Sequence, residues 1–191
     1  SNFLIKTPND LDNHKAMMLG TAGFTALLCA FAVKAREELL LGDKVKDVLV
    51  TGATGGVGSI AVMILSKMGY NVHAVTGKKD KNEYLKSLGA KNILDRKEFE
   101  GESKLLEKGI WDGVVDTVGG PALTKIFAQT KPTGIVAACG NAGGIKINTT
   151  VMPFIIRGVK LWGIDSSAAS IKRRVFVWSE ASKLIDFDKL K

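Results

Sequence analysis

Hydrophobic and polar residues follow one another along this chain in blocks that predict strands and helices in turn. Short apolar runs with the length of buried strands lie at 48–50, 71–76, 92–95, 111–117, 133–140 and 159–165. Segments with a helical period lie at about 13–36, 60–69, 80–88, 121–129, 152–157 and 170–184. This alternation is typical of an α/β, doubly wound parallel sheet. Right-handed crossovers then predict the strand order 3-2-1-4-5-6.

The first predicted helix contains eighteen residues without a charge, from Ala16 to Val33. That length raises the possibility of a membrane span. Gly20 and Gly23, with threonines between and after them, dilute the hydrophobicity and predict a break in the helix. A helix buried against a sheet explains the run better, so no membrane partner is expected. A membrane-attached chain stays an alternative, and it would need detergent to remain in solution.

The turn after the first strand carries the spacing Ala53-x-Gly55-x-x-Gly58, followed at once by a predicted helix. This is the dinucleotide fingerprint with alanine in its first place. One glycine allows the bend, a second lets backbone N–H groups approach a pyrophosphate, and a third lets the helix pack closely on its strand. Free N–H groups and the helix dipole attract the anion. The alternative is a glycine turn that only joins strand to helix.

The end of the second strand predicts which dinucleotide binds. An NAD site usually has an acidic residue about twenty residues after the glycine turn, where it holds the ribose 2′-hydroxyl. This chain instead has Thr76, Gly77, Lys78 and a second lysine, with no carboxylate among them. A hydroxyl and a cation suit a 2′-phosphate, which a carboxylate would repel. The sequence therefore favours NADP over NAD.

Composition sets few further limits. The chain of 191 residues has a net charge of +8, but its 27 basic residues are scattered and are not interleaved with aromatic residues. No nucleic-acid partner is therefore expected. Cys29 and Cys139 lie far apart in apolar segments, and His14 and His73 are isolated, so no metal site is expected. Buried free thiols are typical of a cytoplasmic protein.

Two other nucleotide-binding classes do not fit. A Walker A loop fails because Gly77-Lys78 is followed by Lys79 and lacks the required glycine before it. Short-chain dehydrogenases share a Tyr-x-x-x-Lys pair, but neither Tyr70 nor Tyr84 is followed by lysine at that spacing. A methyltransferase stays a weaker alternative, because its cofactor also usually requires an acidic residue after the second strand.

Several longer segments occur in an order that resembles a known family, namely 20–26, 50–58, 83–90, 116–119 and 149–154. The chain is similar to the medium-chain dehydrogenase/reductase superfamily, and most to its zinc-free quinone oxidoreductase-like branch, which includes the NADPH-dependent acrylyl-CoA reductases. The resemblance implies an oxidoreductase that transfers a hydride from NADPH to an activated C=C bond of an acrylyl-CoA, quinone or enone type. A small-molecule substrate and no metal are implied with it.

The resemblance and the fingerprint together predict the cofactor contacts. The pyrophosphate is expected at Thr54, Gly55, Gly56, Val57 and Gly58, and the 2′-phosphate at Thr76, Gly77 and Lys78. Tyr84 is expected beside the adenine. Asp116 and Thr117 lie at the carboxyl end of the fourth strand, where open parallel sheets bind their ligands, so this pair is expected to face the cofactor. Asn141 and Ser166 lie nearer the nicotinamide ribose in the implied arrangement, although a turn or packing role explains them equally well.

Members of this family also have an N-terminal substrate domain and a C-terminal return to it. Residues 1–191 are therefore expected to form one dinucleotide-binding domain, with the catalytic residues outside this chain and little activity from the chain alone. The alternative is a non-enzymatic NADPH-binding sensor or structural module. Relatives in the superfamily commonly form homodimers through the edge of the sheet, and the apolar segment 159–164 is the candidate edge.

Overall fold

The computed structural model describes residues 4–39 and 44–190, which form six strands and six α-helices. The strands are β1 Asp47–Val50, β2 Asn71–Thr76, β3 Asn92–Asp95, β4 Trp111–Asp116, β5 Thr130–Ala138 and β6 Lys160–Gly163. The α-helices are α1 Asn13–Leu39, α2 Gly56–Lys67, α3 Asn82–Ser87, α4 Gly120–Gln129, α5 Met152–Arg157 and α6 Ile171–Leu184. Short 3₁₀ turns lie at Lys79–Lys81, Arg96–Phe99 and Phe187–Lys189.

All the strand pairs are parallel, and the sheet order β3-β2-β1-β4-β5-β6 confirms the predicted doubly wound topology. β1 pairs with β2 on one side and with β4 on the other. The chain therefore reverses its direction of winding at β1, and the crevice above that strand is where open α/β sheets bind ligands. Every residue of β4 is buried, as expected for a central parallel strand covered on both faces.

Two hydrophobic clusters cover the two faces of the sheet. The larger one joins α1, α2 and α6 to the strands, and the smaller one packs α4 around Phe127 and Ile126. Helix α1 is long and apolar enough to cross a membrane, but 61% of its most apolar window is buried inside the fold. The predicted break in this helix is confirmed at Gly20, whose φ of 46° and ψ of −146° are not helical.

Strand β5 begins earlier than the sequence predicts. Its first residue is Thr130 rather than Thr133, and Pro132 lies inside it. The pairing with β4 shifts register between Trp111 and Gly113, and Thr133 has a positive φ of 62°. Proline has no N–H to donate, so it is tolerated in a strand where the ladder is interrupted. This irregularity hides the first part of β5 from a pattern-based prediction.

A charged cluster lies at the amino ends of the central strands, at the opposite end of the sheet from the glycine turn. Lys131 Nζ is 3.0 Å from Asp112 Oδ2 and 3.3 Å from Asp47 Oδ2. Asp47 Oδ1 also accepts a hydrogen bond from Asn71 Nδ2 at 3.2 Å and contacts His73 Nε2 at 3.3 Å. Burial by itself raises the pKa of Asp47, but these hydrogen bonds outweigh it and hold the pKa below its ordinary value.

Candidate functional site

The turn between β1 and α2 is tied to the strands on both sides of it. The N–H of Thr51 donates to Val115 O on β4, and the N–H of Ala53 donates to Val75 O on β2, both at 3.0 Å. Gly52 lies between these two residues with a φ of 57°, a conformation that favours glycine. The turn therefore lies directly over the point where the sheet reverses its winding.

The third glycine of the fingerprint sits against the backbone of the turn. A Cβ added to Gly58 would lie 2.3 Å from Gly52 O and 2.8 Å from Ala53 Cα. Only glycine lets α2 start this close to β1. The geometry therefore supports the packing role that the spacing predicts for this residue.

The start of α2 fits an anionic ligand. Gly55 and Gly56 are exposed, and no side chain caps the helix at Gly55. The first helical hydrogen bond within the turn runs from Ser59 N to Gly55 O. In the described part of the chain, the N–H groups of the three preceding residues therefore have no intrahelical partner and point out of the helix end. Such an end, bare of side chains, matches a pyrophosphate.

Asp116 and Thr117 support the turn from the end of β4. Thr51 Oγ1 donates to Asp116 Oδ1 at 2.7 Å, and Thr51 Oγ1 in turn accepts the N–H of Thr117 at 2.9 Å. Asp116 is fully buried, and this burial raises the pKa of its carboxyl although the hydrogen bonds from Thr51 and Gly119 act against it. The carboxyl group of Asp116 is therefore directed at the turn and does not face the crevice. The prediction that Asp116 faces the cofactor is wrong.

A cavity of about 370 Å³ lies beside the turn, at the carboxyl ends of β1 and β2. It brings together four of the predicted cofactor residues, Thr54, Thr76, Gly77 and Lys78. The hydroxyls of the two threonines are 3.5 Å apart, and the Thr76 hydroxyl also accepts the N–H of Lys78 at 3.0 Å. Lys78 is exposed, and among the described residues its ammonium group forms no ion pair. We call this space the adenosine cavity, because the sequence predicts the adenosine half of the dinucleotide there.

Arg96 also lines the adenosine cavity, although it is not among the cofactor residues predicted from the sequence. A Cβ added to Gly77 would lie 2.9 Å from both Cδ and Nε of Arg96, so the arginine lies flat against this glycine. Its only ion pair among residues 4–39 and 44–190 is a loose one, with Glu100 at 3.9 Å. Its position in the sequence could have identified it. Arg96 directly follows β3, and β3 ends beside β2, where Asp95 pairs with Thr76.

The remaining predicted residues lie outside this cavity. Tyr84 is half-buried on α3, and Val57 on α2, and both pack against the larger hydrophobic cluster. Asn141 is exposed in the loop after β5. The Thr117 hydroxyl donates to Thr51 O at 3.0 Å, so it serves the turn. Ser166 lines a second cavity, described below.

The described residues include no group of three or more His, Cys, Asp or Glu side chains that could hold a metal ion. Cys29 is buried in α1, Cys139 follows β5, and both are free thiols. The Cys139 thiol donates to Asp116 O at 3.5 Å. The neighbouring Cys139 thiol, together with burial, raises the pKa of the Cys29 thiol.

The parallel sheet, its winding order and the glycine turn above its reversal point define a dinucleotide-binding domain of the Rossmann type. A family model described as "Zinc-binding dehydrogenase" matches residues 56–185, more than half of the chain. The chain therefore belongs to this family. The match confirms the resemblance to the medium-chain dehydrogenases and reductases.

Individual relatives refine this placement. A probable acrylyl-CoA reductase, AcuI of Escherichia coli, is 50% identical over 93% of this chain and 53% of that protein. The putative quinone oxidoreductase YhfP of Bacillus subtilis is 43% identical over 99% of this chain and 57% of that protein. The chain spans about half the length of the curated relatives it matches.

Solved structures agree closely with the fold. The YhdH oxidoreductase of Salmonella enterica, crystallised with NADP, superposes with a TM-score of 0.93 at 46% identity, over 99% of this chain and 57% of that one. The B. subtilis YhfP structure has NAD bound, and it superposes with a TM-score of 0.91 at 42% identity over the same shares. The branch of acrylyl-CoA reductases and quinone oxidoreductases is thereby confirmed for this chain.

Proposed function

We propose that this chain is the NADPH-binding part of an oxidoreductase that delivers a hydride to an activated C=C bond. The observation that carries the proposal is the adenosine cavity. It is lined by Gly52 and Thr54 of the glycine turn and by Lys78 and Arg96, and the loop that ends β2 supplies it with no carboxylate. A site with this charge suits a nucleotide that bears an additional phosphate.

The residues of the glycine turn and of the adenosine cavity have different roles in this proposal. The N–H groups at the start of α2 would hold the pyrophosphate, next to Thr54 and the glycines Gly55, Gly56 and Gly58. The hydroxyl of Thr76 and the cations of Lys78 and Arg96 would surround the 2′-phosphate. Gly77 contributes by having no side chain, because that absence lets the guanidinium lie against the loop.

Bound NADPH would supply the hydride, and the residues of this chain would bind and orient the coenzyme. The names of the relatives point to an α,β-unsaturated thioester such as acrylyl-CoA, or to a quinone, as the acceptor, and both contain a C=C bond conjugated to a carbonyl group. We further propose that Asn141 and Ser166 contact the nicotinamide ribose, that Tyr84 flanks the adenine and that Thr117 borders the cofactor.

We also propose that the chain pairs with a second copy through β6. This strand forms one edge of the sheet, and its Leu161 and Trp162 are 41% and 39% exposed. Helix α5, which leads into β6, exposes Ile155 and Ile156 as well. An open apolar edge of this kind favours strand pairing between chains.

The two free thiols fit a reducing compartment such as the cytoplasm.

The proposal is tested by titrating the chain with NADPH and with NADH in a calorimeter. A hydrogen bond to a charged group contributes about 1.5–3 kcal/mol, and solvent exposure of both cations reduces this to about 1–2 kcal/mol. Lys78→Ala and Arg96→Ala should therefore each weaken NADPH binding by roughly 5- to 30-fold. NADH binding should change little, because NADH lacks the 2′-phosphate.

Lys97→Ala is the matched control, since Lys97 is exposed, carries the same charge and does not line the adenosine cavity. It should bind both coenzymes like the unmodified chain. Equal losses for NADPH and NADH would remove Lys78 and Arg96 from the 2′-phosphate site. A chain that binds neither coenzyme would overturn the proposed function.

A further inference from the structure

A second cavity of about 370 Å³ lies between three elements that are distant in sequence. Gly20, Thr21 and Phe24 of α1 form one wall, at the break in that helix. Ser166 and Ser167, in the loop from β6 to α6, form another. Arg174 and Trp178 of α6 complete the lining. We call this space the α1–α6 cavity.

Arg174 joins the two walls of the α1–α6 cavity. Its Nη2 donates to Ser167 O at 2.8 Å and to Ser166 O at 3.2 Å, and its Nε donates to Ala169 O at 3.0 Å. Its guanidinium also lies over the ring of Phe24, 5.3 Å from the ring centroid. The Arg174 side chain thus binds three carbonyls of the loop and stacks on Phe24 of α1. These contacts together set the distance between the loop and α1.

The α1–α6 cavity lies where the second half of a bound dinucleotide would be. The first residues of α2 touch α1, since a Cβ added to Gly56 would lie 3.2 Å from the Cβ of Ala22. Ala22 lies between the cavity residues Thr21 and Phe24. The pyrophosphate site therefore has the adenosine cavity on its β2 side and the α1–α6 cavity on its α1 side. A dinucleotide spans such a reversal point with one half on each side.

We propose that Arg174 is a positioning residue for the nicotinamide half of NADPH. By holding the loop carbonyls, it presents the Ser166 hydroxyl to the coenzyme and maintains the width of the α1–α6 cavity. The Ser167 hydroxyl is already bonded to Asp165 Oδ1, so Ser166 is the serine that this arrangement offers. This inference rests on the proposed function, because it names a further residue that the same coenzyme requires.

Arginine suits this role better than lysine. Its planar fork reaches several carbonyls at once and stacks on an aromatic ring, whereas a lysine ammonium is a single compact charge. Replacement of Arg174 by lysine should therefore retain the contact with Phe24 and lose most of the hold on the loop. Replacement by alanine should lose both.

The test compares whole NADPH with its adenosine half alone. The chain and its Arg174→Ala and Arg174→Lys variants are titrated with NADPH and with adenosine 2′,5′-bisphosphate, and their thermal unfolding is recorded alongside. Arg174→Ala should weaken NADPH binding by roughly tenfold, as expected for the loss of one hydrogen bond from the Ser166 hydroxyl, and Arg174→Lys by a smaller factor. Both variants should bind adenosine 2′,5′-bisphosphate like the unmodified chain, since the adenosine cavity is unchanged.

Arg173→Ala is the control for net charge. Arg173 is exposed on the same helix, and its side chain forms no hydrogen bond or ion pair with any described residue. It should leave both affinities unchanged. If Arg174→Lys weakens the binding of both ligands equally, or if Arg174→Ala binds NADPH like the unmodified chain, the positioning role is overturned. The proposed function would remain intact. An unmodified chain that binds neither ligand overturns both.

Discussion

Gly58 offers a sharp test of how the glycine turn is built. A methyl group at this position would meet two backbone groups, Gly52 O at 2.3 Å and Ala53 Cα at 2.8 Å. Neither can rotate away as a side chain would. To accept Gly58→Ala, α2 must move away from β1, and the N–H groups at its start must move with it.

The magnitude follows from two opposing effects. Glycine to alanine inside a helix normally stabilises by about 1 kcal/mol. Overpacking a tight contact costs about 1–3 kcal/mol, and we expect the upper end or beyond because both contacts are backbone. The net loss should be about 2 kcal/mol of unfolding free energy. For a chain of this size that corresponds to a fall in Tm of roughly 4–8 °C.

The assay is thermal and urea unfolding of the variant, followed by NADPH titration at a temperature where it is folded. Gly163→Ala is the matched control, because nothing lies within 4 Å of an added Cβ there. Gly55→Ala is intermediate, with its nearest atom, Gly52 O, at 3.2 Å. A Gly58→Ala chain that melts at or above the unmodified Tm and still binds NADPH fully would refute the close-packing argument.

Two further predictions concern the charged cluster and the sheet edge. Asp47→Asn should destabilise the chain by up to about 1 kcal/mol at neutral pH. Because the pKa of Asp47 is lowered in the folded state, its contribution is present above the ordinary carboxyl pKa of about 4 and is lost as the pH falls through the folded value. Urea unfolding at several pH values should show the two chains converging in acid, whereas a pH-independent difference would contradict the linkage. At the edge, sedimentation should show a dimer that Trp162→Glu converts to a monomer and that Leu105→Glu, at another exposed apolar residue, does not. A monomeric unmodified chain would exclude the β6 interface.

Local pattern predicted much of this fold because the signals lie within a few residues of each other. The apolar runs of β2 and β3 match their observed limits, 71–76 and 92–95. The glycines around Gly55 mark the turn because each serves a backbone requirement that few other residues can meet. Strand and helix alternation then led to the sheet order, since right-handed crossovers leave few other arrangements. β5 departed from its predicted start because a register shift accommodates Pro132 inside the ladder.

The sequence by itself determined the winding of the sheet, the turn above β1 and the loop from Thr76 to Lys78. Tertiary structure alone decided which distant side chains join them. Arg96 reaches Gly77 because β3 and β2 end side by side, and Arg174 reaches Phe24 because α6 packs near the break in α1. It also decided that Asp116 is buried beneath the turn rather than facing the crevice. Such contacts depend on the packing of whole elements, and no local spacing along the chain encodes them.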